Sequence, residues 1–189
     1  LRAEEVKELL ERTGALRKGH FILSSGLHSD TYVQCALVLQ YPEYATRLGA
    51  ALAELFGDLE IETVIAPALG GIIVAHEVAR RLGVRSLFTE RVAGKMELRR
   101  GFVLRPGEKV LVVEDVVTTG GSMKEVAAVV EDWGARVVGF GALVDRSQKP
   151  LDLQPFRALL RLEAEAWEPS SCSLCREGIP ATKPGSRGL

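Results

Sequence analysis

Glu114 and Asp115 are the residues whose type and setting are best suited to chemistry. They follow four consecutive apolar residues, Val110-Leu111-Val112-Val113, and precede Val116-Val117-Thr118-Thr119-Gly120-Gly121-Ser122. An apolar run of this kind reads as a strand buried on both faces, so the two acids are expected at its C-terminal end. Open α/β sheets bind their ligands at that end. The Thr-Thr-Gly-Gly-Ser turn can aim backbone N–H groups and three hydroxyls at one anion, and the next helix adds the positive end of its dipole. Carboxylates beside an anion cradle suit a ligand with both hydroxyls and a phosphate, such as a ribose 5-phosphate. The turn is neither the G-x-x-x-x-G-K-S/T of P-loop proteins nor the G-x-G-x-x-G of dinucleotide folds.

The elements that would hold this segment alternate between strand and helix. Val6, Leu9, Leu10 and Thr13 share one helical face, and Gly14 follows as a stop. From Gly19 to Gln40 the pattern is strand-like around Phe21-Ile22-Leu23 and Tyr32-Val33, with a polar turn between. Pro42 starts a helix with Tyr44, Leu48, Leu52 and Leu55 on one face. Thr63 to Ala66 is a short buried strand running into Pro67-Ala68-Leu69-Gly70-Gly71 and a further helix, and Ser86-Leu87-Phe88 is the next strand. Residues 89–108 are polar and basic and read as a loop or extended hairpin. After the acid-bearing strand come a helix through Val126, Val129, Val130 and Trp133, a strand over Val137 to Val144, and a last strand-like stretch over Phe156 to Leu162. Alternation of this kind predicts parallel βαβ units with right-handed crossovers.

At 189 residues and 47% hydrophobic, the chain can fill one domain. A net charge of -1 offers no footprint for nucleic acid or a membrane surface. No apolar run approaches the about 20 residues of a membrane span. The opening Leu1-Arg2-Ala3-Glu4-Glu5 is acidic and unlike a secretory leader. Three cysteines argue for a reducing compartment, and the expected location is cytoplasmic.

Glu114 to Ser122 resembles the phosphoribosyl-pyrophosphate (PRPP) signature of the type I phosphoribosyltransferases. The resemblance implies that Glu114 and Asp115 hold the ribose hydroxyls, with Val116, Val117, Thr118, Thr119, Gly120, Gly121 and Ser122 around the 5-phosphate. It also implies a Rossmann-like, mostly parallel sheet flanked by helices, within a single domain over 1–165. A small hood would come from the N-terminal (1–40) and C-terminal segments, with 166–189 a Pro/Gly-rich tail.

Gly19 to Gly26 with Ser29 to Gln34, and Ala142-Leu143-Val144-Asp145-Arg146, narrow the resemblance to orotate phosphoribosyltransferases. Arg146 and Thr118 would then contact orotate; a guanidinium fork suits a carboxylate. Pro67 to Gly71 matches the pyrophosphate loop by position, where Gly70 and Gly71 permit close approach. Glu90 to Arg100 matches the family's mobile loop, Arg91 and Lys95 standing at its arginine and catalytic lysine, with Asp115 the second catalytic residue. The implied reaction takes PRPP and orotate to orotidine 5′-monophosphate and pyrophosphate with Mg²⁺, in a homodimer with shared active sites. The alternatives are a phosphoribosyltransferase for another base and a PRPP-sensing regulator.

Four positions depart from the family pattern: Ser24, Val92 and Gly70 stand where lysine is frequent, and Glu97 where histidine is usual. The positive charge facing the leaving group would then come from Arg91, Lys95, Arg99 and metal. Cys172-Ser173-Leu174-Cys175 supplies two of the four ligands a structural zinc site takes. Cys35, His20, His28 and His76 are distant in sequence, so no protein metal ligands are expected. The cysteines read as a packed or idle tail pair, a site shared across a dimer being the alternative. His20 and His28 read as hydrogen-bonded structural residues.

Overall fold

The computed structural model describes residues 1–23 and 25–184. Ser24, one of the four departures, lies outside the described residues, as do residues 185–189. The chain opens with helix α1 (Ala3–Arg12), whose Val6, Leu9 and Leu10 are buried. Strands β1 (Leu16–Ile22) and β2 (His28–Val33) pair antiparallel, with a register shift between Lys18 and Phe21. Helix α2 (Ala36–Leu39) is a single turn inside a stretch expected to be strand-like. Its Val38 and Leu39 are buried against the main core, so tertiary packing decided its conformation over local pattern.

Then follow α3 (Pro42–Glu54), β3 (Thr63–Pro67), α4 (Gly70–Leu82), β4 (Arg85–Val92), β5 (Lys95–Leu98) and β6 (Lys109–Val117). The chain continues through α5 (Gly121–Asp132), β7 (Arg136–Asp145), β8 (Phe156–Arg161), β9 (Ala166–Trp167) and α6 (Ser173–Arg176). The main sheet has the order β5-β4-β3-β6-β7-β8, parallel except for the edge strand β5. No helix among the described residues is long and apolar enough to cross a membrane.

Period-two alternation assigns the two faces of this sheet. On β6, Leu111 and Val113 join Val64, Ala66 and Leu143 under α3 and α4, with Leu48, Leu52, Val74 and Val78. Val110 and Val112 join Ile65, Phe140 and Ala142 on the opposite face, under Met123, Val126 and Val130 of α5. The apolar run of β6 is continuous because helices cover both faces.

A second, three-stranded sheet of order β1-β2-β9 forms the hood. Residues 166–184 contribute to it: His28 and Ser29 pair with Trp167 and Ala166, and Phe21 bridges to Thr182. The segment expected as a tail is therefore folded back onto the N-terminal strands. The 89–108 region begins as a hairpin: β4 runs past Phe88 to Val92 and pairs with β5, Val92 facing Lys95. Ala93 (φ 47°) and Gly94 (φ 86°) form the two-residue turn, matching the left-handed pair that tight hairpins require.

Candidate active site

The site lies where the strand order reverses. From β3, the crossover through α4 leads outward to β4; from its neighbour β6, the crossover through α5 leads the other way to β7. Such a reversal opens a crevice at the C-terminal ends of the strands. The pairing register gives that crevice its depth. The β3–β6 ladder ends at Ile65 and Val112, whereas β6 stays paired to β7 as far as Val117 and Asp145. Glu114 and Asp115 are thus still within β6, on the stretch beyond its ladder with β3.

The glycines at the start of α4 face these acids. A Cβ built on Gly70 would fall 2.6 Å from Asp115 Oδ2, and one on Gly71 would fall 3.3 Å from Glu114 Oε1 and 2.7 Å from Ala66 Cβ. Position 70, one of the four departures noted from sequence, thus has no room here for a side chain without displacing Asp115. If the acids hold PRPP as the resemblance implies, Gly70→Ala is expected to raise its KM roughly ten-fold or more, as overpacking by about 1–3 kcal/mol displaces the carboxylate. Steady-state kinetics with varied PRPP would check this; an unchanged KM would show that the carboxylate moves aside freely.

The two acids have no cationic side chain within salt-bridge distance among the described residues. Burial, then the neighbouring Asp115, pushes Glu114 up to about 9. Asp115 is raised too, by burial, with the Val116 N–H and Glu114 acting against the shift. At neutral pH the pair therefore retains a proton. The sign for stability follows from proton binding. Between the ordinary carboxylate value and the raised one the folded state holds more protons than the unfolded chain, so stability falls as pH rises across that window. Glu114→Gln should remove this penalty, on the order of 1–3 kcal/mol at neutral pH. Its Tm without ligand should match wild type near pH 4 and exceed it increasingly toward pH 8. A difference independent of pH would contradict the assignment.

Behind the acids, Cys35 Sγ lies 3.9 Å from the Asp115 carbonyl. Burial, then the charges of Asp115 and Glu114, pushes its thiol well above the ordinary value, so it remains a neutral thiol.

Beyond Val117 the chain turns through Thr118 and Thr119 to Gly120, whose φ of 76° precedes the first turn of α5. Glu114 and residues 116–123 line a small concavity of about 60 Å³. Free N–H groups at the start of α5 make it a phosphate-sized cradle. Thr118 and Thr119 form its boundary with a larger cavity of about 630 Å³ beneath the hood.

Arg146 reaches into this larger cavity from just beyond the end of β7. Its Nη2 donates to the Thr31 carbonyl at 3.0 Å, which fixes the guanidinium against β2. Its Nε is buried without a partner among the described residues. Burial lowers the Arg146 pKa, with Asp30 and Tyr32 acting in the opposite sense. A guanidinium fixed at a cavity wall suits an anionic or carbonyl edge. Gln148 and Lys149 also line this cavity, together with Ile22 and Leu27 of the hood. Ile22 belongs to the Gly19–Gly26 segment singled out in the sequence, whereas Leu27, Gln148 and Lys149 were missed by sequence reasoning. The signal was available for Gln148 and Lys149, since loops after C-terminal strand ends line such crevices.

Arg91 and Lys95 are not brought to the acids. Arg91 pairs with Glu125 of α5 at 2.7 Å and donates to the Gly94 carbonyl at 2.8 Å. Lys95 is exposed at the start of β5. Neither lines the two concavities.

His20, His28, Cys172 and Cys175, expected to be unconnected, converge in the hood: one ligand-type atom from each lies within 4.8 Å of all the others. The bulged β1–β2 hairpin brings the histidines together, and the folded-back C-terminal segment adds the cysteines. The expectation of no protein metal ligands is corrected to this extent, since four donors do converge.

The phosphoribosyl transferase domain family matches residues 38–161, which span the main sheet and leave out the β1–β2 hairpin. The chain is 56% identical over 185 residues to the orotate phosphoribosyltransferase of Thermotoga maritima, covering 97% of this chain and 99% of that one. It is 54% identical over 187 residues to that of Caldanaerobacter subterraneus, covering 98% of each. The solved orotate phosphoribosyltransferase from Aeropyrum pernix superposes with a TM-score of 0.69 at 26% identity, over 84% of this chain and 94% of that one. Full-length identity of this order extends the match through the hood and the arginine beneath it, and the chain belongs to the orotate phosphoribosyltransferase family.

Proposed function

We infer that this chain transfers the phosphoribosyl group of PRPP to orotate, yielding orotidine 5′-monophosphate and pyrophosphate in pyrimidine biosynthesis. The observation that carries the reading is Arg146: a guanidinium fixed by the hood, with a buried unpartnered Nε, across one cavity from the Thr118–Thr119 turn. Glu114 and Asp115 hold the ribose hydroxyls, and residues 116–122 wrap the 5-phosphate. Arg146 and Thr118 orient orotate over the ribose C1 carbon, and the Pro67–Gly71 loop receives the pyrophosphate.

Breaking the C1–pyrophosphate bond leaves positive charge on the ribose and negative charge on the leaving group. No protein nucleophile is needed, and Cys35 stays neutral. Catalysis then rests on positioning and on charge arranged in advance. Asp115 steadies the developing ribose charge. Lys95 and Arg91 neutralise the departing pyrophosphate when the hairpin closes, which also excludes water. The hairpin of one subunit serves the site of its neighbour in a homodimer; within one chain Arg91 is engaged by Glu125 and neither base reaches the crevice.

The uncompensated acid pair fits a Mg²⁺ ion carried in with PRPP, since Mg²⁺ takes oxygen donors and few carboxylates. Asp115 and Glu114 would hold it through the ribose hydroxyls. When bound it supplies charge neutralisation on the phosphate oxygens. Spectrophotometric loss of orotate in the presence of PRPP and Mg²⁺, with uracil and adenine as controls, tests the reading. Consumption of uracil or adenine in place of orotate would overturn the base assignment and leave phosphoribosyl transfer standing.

A further inference from the structure

The hood carries a second cluster with ligand chemistry, separate from the crevice and unused by the reaction. His20 Nε2 lies 2.8 Å from His28 Nδ1, 3.4 Å from Cys172 Sγ and 3.8 Å from Cys175 Sγ. Cys175 Sγ lies 3.3 Å from His28 Nδ1. A tetrahedral zinc ion, with bonds of about 2.0–2.1 Å to nitrogen and about 2.3 Å to sulfur, separates its ligands by roughly 3.3–3.8 Å. The four atoms lie within 4.8 Å of one another, so changes of about 0.5–1 Å in their separations would enclose one ion. His20, His28 and Cys172 are buried, and all three cysteines of the chain are free thiols.

The surrounding hydrogen bonds suit His20 to ligate a cation. His20 Nδ1 lies 2.7 Å from the Ile179 carbonyl, which can only accept. Nδ1 therefore carries the hydrogen, and Nε2 turns its lone pair inward at the other three donors. A backbone carbonyl on the far ring nitrogen is the usual support of a metal-binding histidine. The packing adds a second argument. Cys172 is the one buried residue among the described residues of the 166–184 segment, and β9 contributes only two paired residues. Apolar burial is too small to fasten this segment, the situation in which small units rely on a metal or disulfide.

We propose that His20, His28, Cys172 and Cys175 bind one zinc ion per chain, a structural site that staples the C-terminal segment to the hood. Four protein ligands leave no open position for catalysis. The staple also stiffens the cavity wall, because Ile22, Leu27, Ala164 and Ala166 line it on either side of the clamped strands.

The test uses the full, untagged chain purified under reducing conditions from zinc-supplemented cells. Elemental analysis should give one zinc per chain. The Cys172→Ser/Cys175→Ser double variant should lose the metal, and trypsin should then release its C-terminal segment at Arg176 far faster than in wild type. Cys175→His, which replaces the sulfur donor with a nitrogen donor and so keeps four ligands, should retain the metal. Should the double variant fold poorly, cobalt added to zinc-stripped wild type should give the intense visible bands of a tetrahedral thiolate site. Wild type that takes up neither metal, or a folded double variant that keeps its zinc, would overturn the proposal. None of these readouts depends on orotate turnover, so failure here and failure of the enzymatic reading are distinguishable.

Discussion

Lys95→Ala is expected to lower kcat by about 10²-fold or more, on the order of 3 kcal/mol of transition-state stabilisation. Lys95 is exposed at the start of β5 and lines neither concavity, so its removal leaves the resting fold and the PRPP cradle intact. The loss should fall on kcat, because charge on the pyrophosphate grows as the bond breaks. Unchanged turnover would remove Lys95 from the mechanism. A mixing experiment decides which subunit supplies it. Lys95→Ala and Asp115→Ala homodimers should each be nearly inactive. If the hairpin serves the neighbouring subunit, subunit exchange creates heterodimers with one intact site, and activity returns. If it serves its own subunit, both sites stay defective and mixing restores nothing.

Arg146→Ala is expected to lower kcat/KM for orotate by roughly 10²-fold, corresponding to about 3 kcal/mol for losing charge-assisted bonds to a carboxylate. The KM for PRPP should change little, since the acids and the phosphate cradle remain. Arg146→Lys keeps the charge but loses the planar fork, and should recover only part of the loss. Arg146 also holds Thr31 of the hood, so thermal unfolding of the same variants separates loosening of the fold from loss of recognition. Equal effects on PRPP and orotate would place Arg146 outside base selection.

The acid-bearing strand and its turn were legible because every signal they carry is local. An apolar run, two carboxylates and a glycine-rich helix start lie within thirteen consecutive residues, 110–122. The alternating elements were legible for the same reason, since helix and strand periodicities repeat within each segment. The α2 turn was not. Four residues are too short for a helical period to declare itself, and burial of Val38 and Leu39 decided the conformation. The extension of β6 past the acids was also hidden, because it depends on the register with β7.

The sequence by itself determined the fold class, the acid pair, the phosphate turn and the arginine at the strand end. Each is a short stretch whose chemistry is complete without a partner. Tertiary structure decided what depends on residues far apart in the chain. It set Gly70 against Asp115, turned Arg146 against Thr31, and gathered His20 and His28 around Cys172 and Cys175. Such contacts arise from strand register and chain return, which no local pattern encodes. Glu114 and Asp115 stand out within thirteen residues, whereas the hood cluster exists only once the C-terminal segment has folded back onto the first hairpin.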